Sequence, residues 1–137
     1  MSVSKIHVYF MPGMAANSSI FENISLPVDQ FEVHFLDWIL PAKGMDIVAY
    51  AKQLSVLIYH KNPVLLGVSL GGIVVQEIAK IIPTRKVIIV SSVKSKNEFP
   101  KRMLFARYTN IHKVLPTGLV NNVELLAKYA FGETVTK

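Results

Sequence analysis

The chain has 137 residues, no cysteine, 51% apolar side chains, and a formal charge of +6 from 15 basic and 9 acidic residues. That length and apolar content suit one domain with one core, and the missing cysteine excludes disulfides and thiolate metal sites. No apolar stretch approaches the ~20 residues that span a bilayer, and Met1-Ser2-Val3-Ser4-Lys5 runs into a strand-like segment without signal-peptide features, so a soluble cytoplasmic protein is expected.

Residues 6–10, Ile-His-Val-Tyr-Phe, read as a first strand, ended by Pro12-Gly13, with His7 as a packed residue. After the small loop Gly13-Met14-Ala15-Ala16, Ser19 and Glu22 fit a capping box opening a helix whose apolar side is Ile20, Phe21 and Ile24. Residues 31–36 alternate apolar and polar, which predicts a second strand at a sheet edge, closed by Asp37-Trp38. Asp46 is placed to cap a helix with Ile47, Tyr50, Ala51, Leu54, Leu57 and Ile58 on its apolar face, and His60 at its end suits the helix dipole. Residues 63–66 form a short apolar run, a third strand, and 70–82 show helical spacing through Leu70, Ile73, Val74, Ile78 and Ile81 until Pro83. Residues 86–92 are a near-continuous apolar run of the kind found inside parallel sheets.

This alternation predicts an α/β protein: a parallel, doubly wound sheet of about four strands with helices on both faces. With the first strand beside the third, the second outside the first and the fourth outside the third, winding reverses between strands one and three, where such sheets bind ligands. From Lys94 the alternation fails. Helices are expected at 97–108 and 121–131, apolar through Phe99, Met103, Leu104, Leu125, Leu126, Tyr129 and Phe131, so the chain divides into a sheet core (1–93) and a helical lid-like segment (94–137) of one domain. Eight basic residues against the single acid Glu98 fall between Arg85 and Lys113. Without a nucleic-acid motif or aromatic ladder this reads as a solvated face, and no nucleic-acid partner is expected.

The chemistry concentrates in Gly67-Val68-Ser69-Leu70-Gly71-Gly72, between the third strand and its helix. A sharp strand-to-helix turn strains its central residue and leaves no room for Cβ atoms beside it, which Gly67 and Gly71 satisfy. Gly72 allows the helix to pass close to a neighbouring strand. Ser69 is the candidate nucleophile. No metal-ligand spacing is visible, and neither a metal nor a cofactor is expected. The G-x-G-x-x-G spacing and P-loop lysine of nucleotide sites are absent from this turn.

These residues resemble the α/β-hydrolase family. The stretch from Gly67 to Ala79 is similar to its serine turn and following helix, and Phe10-Met11-Pro12-Gly13-Met14 to its His-Gly oxyanion loop, with proline where histidine is commoner. The resemblance covers residues 5–92 well and implies acyl transfer. Ser69 would attack an ester, thioester or amide carbonyl, and the backbone N–H groups of Leu70 and Met14 would hold the oxyanion. The family places its acid and then its histidine after later strands. Here His112 is the only histidine beyond Ser69, and no carboxylate after Ser69 closes a strand. The expectation is an N-terminal portion of such a hydrolase, inactive alone for lack of the base, with an exposed apolar edge at its last strand. An acyltransferase on the same scaffold and a non-catalytic binding domain are the competing readings. Substrate and oligomeric state are left open.

Overall fold

Four short runs rich in β-branched and aromatic residues form four strands: β1 (Ile6–Met11), β2 (Phe31–Phe35), β3 (Val64–Val68) and β4 (Lys86–Val90). The structure, a computed structural model, describes residues 4–98. All neighbouring strands are parallel and their order is β2-β1-β3-β4. With the helices α1 (Ile47–Ser55) and α2 (Leu70–Ala79), this is an α/β fold. Winding reverses between β1 and β3, so the loops leaving these two strands diverge at the carboxyl edge of the sheet.

Handedness assigns the faces. Right-handed crossovers running one way along a sheet lie on one face, and those running the other way lie opposite. The connections through α1 and α2 run the same way. They share a face, where Tyr50, Leu54 and Ile58 meet Val74, Val75, Ile78, Met11 and Leu65. Each such fully buried side chain contributes about 1.5–3 kcal/mol.

The β1–β2 connection runs the other way and covers the opposite face with Phe21, against Val8, Phe10 and Val64. It corrects the expectation of helices on both faces, because it is a single 3₁₀ turn, Ser18–Phe21. The capping box at Ser19 and Glu22 does not form: the Asn17 side chain accepts from the Ser19 N–H at 2.9 Å, and Glu22 ends the turn. Of the expected apolar side only Phe21 is buried, while Ile20 and Ile24 are 44% and 47% exposed. One turn suffices to bury one phenylalanine.

Asp46 does cap α1, accepting from the Ala49 N–H at 2.8 Å. The helix stops at Ser55, so Leu57 is exposed and His60 lies beyond the dipole it was expected to meet. Among the described residues β4 is an edge strand, the position outside β3 that the sequence reading gave it. Its side chains alternate in exposure, with Ile88 and Val90 partly open to solvent. Among the described residues no helix is long and apolar enough to cross a membrane. The chain divides into a unit Met1–Lys94 and a unit Ser95–Lys137. Of the second unit only residues 95–98, with the turn Lys96–Glu98, belong to the described residues, so the expected helices at 97–108 and 121–131 lie outside them apart from that turn.

Candidate active site

β3 ends at Val68 and α2 begins at Leu70, so one residue makes the turn. Ser69 does so at φ 54°, ψ −121°, a region that side-chain-bearing residues enter at a cost of about 1–3 kcal/mol. Its backbone is held from both sides. The Ser69 N–H donates to the Val90 carbonyl at 2.9 Å, and the Ser69 carbonyl accepts from the Gly72 N–H at 2.9 Å and from the Ser92 hydroxyl at 2.6 Å. The Gln76 amide ties the same corner together by donating to the carbonyls of Gly72 (3.0 Å) and Val93 (2.9 Å). The serine so fixed is exposed.

Close backbone approaches explain three glycines. A Cβ on Gly67 would run into the Gly71 carbonyl, its carbon lying at 2.5 Å. One on Gly71 would strike the Pro12 carbonyl oxygen and come within 2.6 Å of that of Met11, where β1 ends. One on Gly72 would overlap the Ser92 side chain. Gly13 differs, since its Cβ would rest 3.4 Å from that of Ser69, an ordinary contact. Its importance is location: it brings the loop after β1 against the serine.

The Met14 N–H belongs to that loop. The Gly13 carbonyl accepts from the Trp38 indole N–H at 2.8 Å and from the Ala16 N–H at 3.1 Å. Because a trans peptide is planar, fixing this carbonyl fixes the Met14 N–H in the opposite direction. Neither the Met14 nor the Leu70 N–H donates to a protein acceptor among the described residues. Trp38 is itself held. Its ring stacks on Tyr50 at 5.6 Å, and the Tyr50 hydroxyl bonds the N–H and carbonyl of Ile39, both at 2.9 Å. Trp38, expected from the sequence to close the second strand, is a brace for the Gly13–Met14 peptide.

Within described residues 4–94 no histidine or carboxylate bonds to Ser69. Asp37 follows β2, two strand spacings or about 10 Å from β3. His112, Glu124 and Glu133 lie outside the described residues. His7 is four residues behind Met11, the partner of Gly67, and so about 13 Å back along the strand.

The other histidines gather away from the serine. His7, His34 and His60 come together with Glu32, all four offering a ligand atom within 4.8 Å of one another. Spacing could not reveal this group, because His7 and His34 are 27 residues apart and His60 arrives from a third segment. The usable signal was register: β1 and β2 pair His7 with Glu32 and Tyr9 with His34, so alternation places all four on one face. No protein-family model matches the chain, and no curated protein matches it.

Proposed function

We propose that the protein is a serine hydrolase of the α/β-hydrolase type, of the carboxylesterase or thioesterase sort, working through an acyl-enzyme on Ser69. The observation that carries this reading is the strain at an exposed serine. A glycine would occupy those backbone angles freely, so a side chain retained there needs a use. In this reading Ser69 Oγ adds to the carbonyl carbon of an ester, thioester or amide, and the carbonyl oxygen takes the negative charge. The N–H groups of Leu70 and Met14 receive that oxyanion. Each such donor is worth ~10²–10³ in rate. Collapse of the adduct expels the alcohol, thiol or amine and leaves the acyl group on Ser69, from which water releases it. The base that takes the serine proton, and the acid that orients it, come from outside the described residues, as does the lid-like segment. No metal or cofactor is required for these steps.

The test uses protein expressed from its complete reading frame and a p-nitrophenyl ester. One equivalent of p-nitrophenol per chain should be released in a burst, followed by slower turnover, and Ser69→Ala should lose both. Turnover that survives Ser69→Ala overturns the proposal. An ester bound without burst or turnover favours the non-catalytic reading, the second reading supported by the fact that no histidine or carboxylate among residues 4–94 bonds to Ser69. An alcohol or amine that outcompetes water for the acyl group identifies an acyltransferase.

A further inference from the structure

We propose that His7, His34 and His60, with Glu32 as fourth ligand, form a binding site for a first-row divalent cation of the zinc class, separate from Ser69. Three chain segments converge there. His7 lies on β1, Glu32 and His34 on the edge strand β2, and His60 in the loop after α1. His7 Nδ1 and His34 Nε2 face each other at 3.0 Å, and Glu32 Oε1 is 3.7 Å from the same His34 nitrogen. One of two facing imidazole nitrogens carries the shared proton, so the other directs its lone pair at that spot, and loss of the proton on metal binding frees both.

The dimensions suit zinc. Bonds of about 2.0–2.1 Å in a tetrahedron put ligand atoms ~3.3 Å apart. His7 and His34 need to part by only a few tenths of an ångström. The remaining pairs, all within 4.8 Å, need to close by ~1.5 Å at most. The three histidines are half-buried and Glu32 is exposed at a sheet edge, where side chains can make that movement and an ion can enter. Coordination opens the present face-to-face stack of the His7 and His60 rings, whose centroids are 3.5 Å apart.

The surroundings are also those of a ligand set. The Tyr9 hydroxyl lies 2.6 Å from His60 Nδ1. With Nδ1–H donating to that oxygen, the other ring nitrogen keeps its lone pair, the usual arrangement for a metal-bound imidazole. Three imidazoles and one carboxylate are borderline ligands that favour zinc, cobalt, nickel or copper over magnesium or calcium.

The test uses the untagged full chain, stripped with a chelator and titrated with zinc sulfate and, separately, with cobalt(II) chloride. One equivalent of each should bind, cobalt should give the intense visible absorption of a four-coordinate ion, and zinc should raise the melting temperature. His34→Gln and His60→Gln should each weaken binding at least ~100-fold, and the exposed Glu32→Gln about 10-fold. His112→Gln should change nothing. Glu32→Gln alters an exposed side chain and keeps the test valid where a histidine variant misfolds. Absence of stoichiometric binding, octahedral cobalt spectra, or binding that persists in both Glu32→Gln and His34→Gln overturns the proposal.

Discussion

At the scale of single residues, Ser69 pays for its position in strain that a glycine would not carry. Ser69→Gly should therefore stabilise the fold by about 1 kcal/mol, the relief of strain exceeding the entropy glycine adds to the unfolded chain. A urea midpoint that rises in this variant, while ester turnover disappears, is the expected pair of results. Trp38 acts at one remove, through the Gly13 carbonyl. Trp38→Phe keeps the ring against Tyr50 and loses the donor, so kcat should fall about 10-fold with KM little changed, because a misdirected Met14 N–H is felt at the oxyanion. Equal loss in KM would make Trp38 part of the substrate pocket instead. Ser69, Gly67, Gly71 and Gly72 were legible because a tight turn imposes its demands on adjacent residues. Trp38 was not, since its bond to Gly13 joins positions 25 apart in the chain.

Among the elements, α1 and the serine turn depend on different physics. The Asp46 carboxylate satisfies the Ala49 N–H at an exposed helix start, and Asp46→Ala should cost about 1 kcal/mol in the urea midpoint. Gly71→Ala acts by collision with the Pro12 and Met11 carbonyls, which are backbone and cannot yield. It should cost about 3 kcal/mol or more, and a loss under 1 kcal/mol would mean that α2 and the end of β1 are not so closely apposed. Element types followed from periodicity, but their ends did not. Leu57 and Ile81 continue the apolar spacing of their helices and yet lie exposed past the last helical residue, because packing rather than hydrophobicity ends each helix. At Ser19 the capping signal was real in kind and displaced in place, since Asn17 supplies the oxygen.

For the whole molecule, the alternation of strands and connections led to a parallel α/β sheet, and the observed order is the arrangement in which winding reverses between β1 and β3. Right-handed crossovers place α1 and α2 together on one face and leave the other to Phe21 and its neighbours. What alternation could not convey was the meeting of His7, His34 and His60, which depends on the β1–β2 register and on a loop returning beside it. The two sites lie apart, so Ser69→Ala should leave zinc binding unaltered and His34→Gln should leave the serine turn in place. The central claim is that Ser69 is a nucleophile, and its most direct measurement is the site of covalent modification. Protein from the complete reading frame, treated with a fluorophosphonate, should carry one adduct that tandem mass spectrometry locates on Ser69. An unmodified Ser69, or an adduct on another residue, would contradict the account.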